Sequence, residues 1–111
     1  MNFIMNLQDK FFNMVKSGNK TLEVRLLDDK RKKLMVGDTI EFSNSTNEKI
    51  SVIIISIQIY DNFIDLLKDN NYLDIGLNNS TEEEALNELY SIYPKEKSSK
   101  YKAIAIKFIK K

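Results

Sequence analysis

The spacing of apolar residues predicts a helix near the start of the chain. Within residues 8–16, Phe11 and Phe12 precede Val15 by four and three residues, the spacing that forms one face of a helix. Gly18 follows this segment, and glycine readily adopts the left-handed conformation that ends many helices. We therefore expect an amphipathic helix that turns these three side chains towards a core.

Alternation of apolar and polar residues predicts five strands. They cover residues 2–6, 20–26, 39–43, 50–60 and 101–109. In the longest strand, the isoleucines at positions 53, 55, 57 and 59 share one face, whereas the other face begins apolar and ends with Ser56 and Gln58. This second face is typical of a strand that leaves the core part-way along its length.

Short helices are predicted between the later strands. The sequence indicates a helical turn over residues 28–34, a short helix over residues 62–67 and a longer helix that ends before Pro94. Ser80-Thr81-Glu82-Glu83 has the spacing of a capping box at the start of the longer helix. Because helices placed this irregularly do not fit repeated βαβ units, we expect an α+β fold with a curved antiparallel or mixed sheet. The length predicts a single domain over residues 1–111.

The composition excludes several classes of function. Hydrophobic residues make up 42% of the chain and charged residues 30%, as in a soluble globular protein, and the net charge is +1. Any binding to nucleic acid must therefore depend on a local patch. The absence of cysteine and histidine excludes a disulfide, a Ser-His-Asp triad and a zinc site of His or Cys ligands. We expect no metal and no other cofactor.

No segment of the sequence resembles a targeting or membrane-spanning element. Residues 1–7 are too short and too polar for a signal peptide, and the most apolar run, residues 50–60, has about half the length of a membrane helix. We therefore expect a cytoplasmic protein with no membrane partner. The oligomeric state stays open.

The predicted strand over residues 20–26 carries an unusual polar row. Thr21, Glu23 and Arg25 share one face because side chains alternate along a strand. Arg25 is suited to grip a phosphate or a carbonyl by two parallel hydrogen bonds, and Glu23 to accept from a base edge or to act as a general base. Thr21 is a candidate nucleophile. The alternative is that Glu23 and Arg25 simply pair at the surface.

Basic and aromatic residues outside the row are further candidates. Lys20 lies where the chain enters the strand, so its side chain either lines a cleft with the row or is solvated. Arg31 belongs to a basic run over residues 30–33, which is either a rim that contacts phosphate or a solvated helix face. Tyr101 follows a second basic stretch and either stacks on a base or anchors the last strand in the core.

Over nearly its whole length, the chain resembles the ASCH domain family. The resemblance is carried by residues 16–25, KSGNKTLEVR, and by residues 37–42, GDTIEF. It implies a PUA-like mixed β pseudo-barrel flanked by short α-helices, with the motif in a cleft beside the barrel. The ligand-binding residues would be Lys20, Thr21, Glu23, Arg25, Arg31 and Tyr101.

The resemblance leaves two functions open, and with them whether the protein is an enzyme. The first is binding of RNA or a modified nucleoside, a role that the family shares by analogy with PUA domains. The second is hydrolysis of N4-acetylcytidine or a similar small amide, as in some small bacterial relatives, with Lys20 as base, Thr21 as nucleophile and Glu23 as proton shuttle. The relatives' lysine falls on Lys20, but their nucleophilic threonine falls on Glu23. A third possibility is a scaffold whose cleft has no ligand.

Overall fold

A curled five-stranded sheet forms the centre of the structure, a computed structural model that describes residues 1–78 and 81–111. The strand order is β1-β3-β4-β5-β2; β1 pairs with β3 in parallel and the other neighbours are antiparallel. The strands are β1 (Asn2–Asn6), β2 (Leu22–Leu26), β3 (Thr39–Ser43), β4 (Lys49–Tyr60) and β5 (Ala103–Lys110). Thus β1 and β2 are the two edges of the sheet.

Short helices pack around this sheet. They are α1 (Asp9–Ser17), a 3₁₀ turn (Arg31–Lys33), α2 (Phe63–Asp69), α3 (Tyr72–Ile75), α4 (Glu82–Ile92) and α5 (Lys95–Ser98). Gly18 ends α1 in the left-handed conformation, as predicted. No helix in the described part of the chain has both the length and the apolar character needed to cross a membrane.

Two hydrophobic clusters lie on opposite faces of β5. The barrel cluster lies inside the curl and contains Phe3, Met5, Phe12, Val15, Leu34, Ile40, Phe42, Val52, Ile54, Ile104, Ile106 and Phe108. The helix cluster lies between the sheet and helices α2 to α4 and contains Phe11, Leu22, Val24, Leu26, Phe63, Leu66, Leu67, Ile75, Leu77, Ala85, Leu89, Ala103 and Ala105. Alternate residues of β5 therefore belong to different clusters, and this strand is buried on both faces for most of its length.

The α+β prediction is confirmed, and the differences are local. The strand predicted from residue 20 begins at Leu22, and the helical turn predicted over residues 28–34 is a shorter 3₁₀ turn. The four-residue helices α3 and α5 were not predicted. Thr81 caps α4 by accepting a hydrogen bond from the backbone N–H of Glu84. The predicted capping residue Ser80 lies outside the described residues.

In β4, the face that begins apolar starts in the core, as predicted, and the isoleucine face is partly exposed. Val52 and Ile54 are buried in the barrel cluster, whereas Ile55 and Ile59 are 40% and 54% exposed. An irregularity between Ile54 and Ser56 shifts the pairing with β5. Because a shift of one residue reverses the direction of the following side chains, strict alternation cannot hold along the whole strand.

Candidate ligand-binding site

The site is built on β2, at an edge of the sheet. Leu22, Val24 and Leu26 pack into the helix cluster, so the alternating residues Glu23 and Arg25 project from the other face, as predicted. Since β2 pairs only with β5, its outward-facing backbone groups need other partners.

Two side chains donate hydrogen bonds to outward-facing carbonyl groups of β2. Lys20 Nζ donates to the carbonyl of Leu22 at 2.8 Å, and the Tyr93 hydroxyl donates to the carbonyl of Val24 at 3.0 Å. Each bond satisfies a backbone oxygen that the sheet leaves unpaired. Lys20 and Tyr93 are thereby fixed beside the polar face of the strand.

Lys20, Glu23 and Arg25 form a buried charged trio. Glu23 Oε1 lies 3.0 Å from Lys20 Nζ, and Glu23 Oε2 accepts a hydrogen bond from Arg25 Nε at 2.7 Å. Only 3% of Lys20 and 4% of Glu23 is exposed, and only 14% of the Arg25 side chain is exposed. Glu23 and Arg25 therefore do pair, but inside the protein and with a second cation.

Lys20 is held by three acceptors at once. Besides Glu23 and the Leu22 carbonyl, its ammonium donates to the carbonyl of Ile75 at 2.6 Å. All three N–H donors of the ammonium are therefore engaged. Gly76 completes this environment: its φ is +92°, and a Cβ atom there would lie 3.2 Å from Lys20 Cδ. Glycine suits this position because it takes the left-handed conformation and leaves room for the lysine stem.

Arg25 connects the two edges of the curled sheet. Its Nη2 donates to the backbone carbonyl of Asn6, the last residue of β1, at 2.9 Å. The same guanidinium pairs with Glu23 through Nε, so one side chain links β2 to β1 across the opening of the half-barrel. Among the described residues, these two bonds use two of the five N–H donors of the guanidinium.

The trio favours the charged forms of its members. Burial alone would raise the pKa of Glu23, but the positive charges of Lys20 and Arg25 hold this pKa below its ordinary value of 4.5. Burial works against the charged guanidinium, but the Glu23 carboxylate raises the pKa of Arg25. Burial also raises the pKa of the Tyr93 hydroxyl to about 12, which keeps that group a hydrogen-bond donor at neutral pH.

We expect Glu23 to make the fold sensitive to acid. Because its pKa is lower in the folded than in the unfolded chain, its contribution to stability is fully present above about pH 4.5 and is lost as the pH falls through the folded pKa. Urea denaturation of the wild type and of Glu23→Gln across this window measures the effect. The difference in unfolding free energy between the two proteins should shrink as the pH falls. A constant difference would contradict the assignment.

An inner cavity opens onto the trio. It has a volume of about 90 Å³, and Lys20, Glu23 and Arg25 line it together with apolar side chains of the helix cluster. The wall of the inner cavity thus combines charged groups with apolar side chains.

A second, basic cavity adjoins the first. It has a volume of about 270 Å³, and its lining residues are Arg25, Leu26, Asp28, Arg31, Ile92, Tyr93, Pro94, Lys97 and Tyr101. Arg25, Ile92 and Tyr93 line both cavities and separate them. Arg31 turns towards the basic cavity, whereas the three lysines of the 30–33 run are exposed.

The structure brings together five of the six predicted ligand-binding residues. Lys20, Glu23 and Arg25 line the inner cavity, and Arg31 and Tyr101 line the basic cavity with Arg25. Thr21 lines neither cavity. It lies just before β2, where its backbone N–H donates to the carbonyl of Asp74 and its carbonyl accepts from Phe108.

Several groups at the site were not predicted. Asp28 lines the basic cavity, and the backbone carbonyls of Asn6 and Ile75 hold Arg25 and Lys20. Lys97, which also lines the basic cavity, belongs to the second basic stretch that the sequence indicated. Carbonyl groups carry no residue-type signal, so only the tertiary structure reveals them. Within the described ranges, no group of three or more acidic side chains lies close enough together to hold a metal ion.

This fold with a polar cleft beside the sheet is that of the ASCH domains, a class with PUA-like architecture. The chain belongs to the ASCH domain family, whose model matches residues 5–111. A search of curated protein sequences found no significant match.

Solved structures share the fold over nearly the whole chain. The hypothetical protein PH0355 is 27% identical with a TM-score of 0.90, and the match covers 100% of both chains. Protein PF0455 from Pyrococcus furiosus is 28% identical with a TM-score of 0.77, over 99% of this chain and 97% of that one. The protein ZmASCH from Zymomonas mobilis is 16% identical with a TM-score of 0.69, over 97% of this chain and 67% of that one, a likeness of fold alone. The predicted family and fold are thus confirmed.

Proposed function

We propose that this protein binds RNA or a modified nucleoside, and that the polar edge of a base enters the inner cavity against Glu23 and Arg25. One observation carries the proposal: a buried charged trio lines a cavity instead of being sealed in the core. Burying three charges is costly, and apolar residues of similar volume are often as stabilising. Their presence at a cavity wall is therefore better explained by a ligand than by stability.

The remaining hydrogen-bonding capacity of the trio suits a base edge. Each oxygen of Glu23 has one cationic partner and retains a further acceptor site, and Arg25 has three N–H donors beyond its two bonds. An acceptor and a donor side by side match the adjacent donor and acceptor groups of a nucleobase. In this proposal Lys20 is a positioning residue, because its ammonium is committed to Glu23 and two backbone carbonyls.

The family and the charge of the chain agree with a small polar ligand. As a family, ASCH domains resemble RNA-binding domains. A net charge of +1 favours a short single strand or a nucleoside-like molecule over long RNA. Tyr101 supplies an aromatic ring in the basic cavity, which Arg25 also lines, and a base or a ribose could pack against it there. The cytoplasm is the compartment we propose, consistent with the absence of cysteine.

The alternative hydrolase mechanism has less support from the geometry. It needs Lys20 as a base, but an ammonium with all three hydrogens engaged has no lone pair with which to accept a proton. It also needs Thr21 as a nucleophile, and Thr21 lines neither cavity. Release of cytidine from N4-acetylcytidine, lost in Thr21→Ala, would revive this alternative.

Substitution of Arg25 tests the binding proposal. Arg25→Gln should weaken binding of short single-stranded RNA and of ribonucleosides by about tenfold or more, because it removes charge-assisted hydrogen bonds to the ligand. NMR titration measures the affinity. Lys107→Gln is the matched control, since it removes one positive charge from an exposed position on β5.

The binding of Arg25→Gln is compared with that of two further variants. Lys107→Gln should change the affinity by less than about twofold, as expected for a charge outside both cavities. Arg25→Lys, which keeps the charge but not the planar fork, should bind almost as weakly as Arg25→Gln. Equal binding by the wild type and Arg25→Gln would reject the inner cavity as the site.

A further inference from the structure

The basic cavity has an excess of positive charge. Arg25, Arg31 and Lys97 line it against the single carboxylate of Asp28. Within residues 1–78 and 81–111, Arg25 is paired with Glu23 and Arg31 with Asp28, but the Lys97 ammonium has no ion-pair partner. A cavity with this balance of charge favours an anion.

Arg31 has a hydrogen-bonding group that the protein does not satisfy. Its Nη1 donates to Asp28 Oδ2 at 3.0 Å, and its side chain is only 17% exposed. In the described part of the chain, Arg31 Nε is the one buried side-chain nitrogen or oxygen without a hydrogen-bond partner. A buried donor without an acceptor costs free energy, so a ligand oxygen that reached this group after a small rotation of the guanidinium would relieve that cost.

We propose that the basic cavity binds the phosphate group of a nucleotide, so that the ligand is a phosphorylated nucleotide and not a free nucleoside. The assignment rests on the proposed function. Arg25 lines both cavities, so a phosphate in the basic cavity would lie next to a base edge in the inner cavity. A phosphate offers several acceptor oxygens to a planar guanidinium and a point charge to a lysine.

The size and the lining of the cavity fit this role. Its volume of about 270 Å³ is about three times that of the inner cavity, which leaves more room for a phosphate together with a ribose. Tyr93, Pro94 and Tyr101 supply an apolar wall for the sugar. The nucleotide would then occupy both cavities, with the base edge at Glu23 and the phosphate at Arg31.

Titrations with paired ligands test the proposal. The four ribonucleosides, their 5′-monophosphates and a short single-stranded RNA are each titrated into the wild type, Arg31→Gln and Lys107→Gln and followed by NMR. The wild type should bind at least one monophosphate about tenfold more tightly than its nucleoside, because charge-assisted bonds to the phosphate are added. Arg31→Gln should lose this preference, whereas Lys107→Gln should keep it.

Asp28→Asn provides a test with the opposite sign. The backbone N–H of Arg31 donates a hydrogen bond to Asp28 Oδ1 at 3.0 Å. Asparagine keeps an oxygen that can accept this bond, but it removes the negative charge from the cavity. Monophosphate binding should therefore tighten, by about fivefold. A variant that merely disturbed the fold would weaken binding, so a gain in affinity supports the phosphate assignment and a loss argues against it.

The outcomes separate this inference from the function on which it rests. If nucleosides and monophosphates bind the wild type equally, the phosphate site is rejected while nucleoside binding stands. If the preference survives in Arg31→Gln, the phosphate lies elsewhere and the proposal fails. If no nucleoside, monophosphate or RNA binds, both proposals are rejected. A preference for the short RNA over every monophosphate would support the phosphate site and identify the ligand as a nucleotide within a strand.

Discussion

Replacing Glu23 by glutamine is expected to lower the free energy of unfolding by about 3 kcal/mol at neutral pH. Glutamine has almost the same shape, but its neutral amide turns an N–H₂ group towards one of the two cations. Lys20 and Arg25 then remain buried without the carboxylate that separates them. The loss comes from these uncompensated charges, because the volume of the side chain is unchanged. Reversible urea denaturation followed by circular dichroism measures the effect.

Glu41 offers a matched control for this substitution. It forms an ion pair with Lys49 at 3.5 Å, with 34% and 58% of the two side chains exposed. Because exposed pairs contribute little, Glu41→Gln should change the free energy of unfolding by less than about 1 kcal/mol. Similar losses in Glu23→Gln and Glu41→Gln would mean that the trio is as well solvated as a surface pair, contrary to its burial.

Replacing Lys20 by methionine is expected to destabilise the fold by about 2–4 kcal/mol. Methionine preserves most of the stem that packs beside Gly76, but it removes the donor for the carbonyls of Leu22 and Ile75. Glu23 is left with Arg25 alone. The same denaturation experiment measures the loss, and nucleotide titration of the folded variant should report weaker binding because Glu23 is no longer held from both sides.

Lys16 is the corresponding control for Lys20. It pairs with Glu48 at 2.6 Å, but both side chains are exposed, at 60% and 44%. Lys16→Met should therefore cost less than about 1 kcal/mol and leave binding unchanged. If Lys20→Met retained full stability, the three hydrogen bonds of the ammonium would not contribute to the fold, and the positioning role of Lys20 would have to be abandoned.

Sequence reasoning was most successful where the signal is local. Alternation along β2 predicts that Glu23 and Arg25 share a face opposite Leu22 and Val24, because the period of two depends only on neighbouring residues. The positions of all five strands follow from the same signal. In β4 the irregularity at Ile54 breaks the period, so burial beyond that point could not be predicted from alternation alone.

The remaining features depend on contacts between distant parts of the chain. Tyr93 reaches the carbonyl of Val24 across 69 residues, and the Ile75 carbonyl reaches Lys20 across 55. The residue types of Val24 and Ile75 do not indicate that their backbone carbonyls accept these hydrogen bonds. The helices α3 and α5 have four residues each, too few for a helical period to appear in the sequence. The basic run over residues 30–33 likewise did not indicate that Arg31 alone turns inward.

The side chains that cap the β2 edge also affect the solubility of the protein at high macromolecular concentration. An uncovered edge strand is a template on which another polypeptide can add a strand, and such addition leads to aggregation. Lys20 and Tyr93 occupy the acceptors that an incoming strand would use, so the residues that shape the cleft also guard the domain against self-association. Substitutions made to probe recognition at either position therefore also remove a safeguard against intermolecular sheet extension.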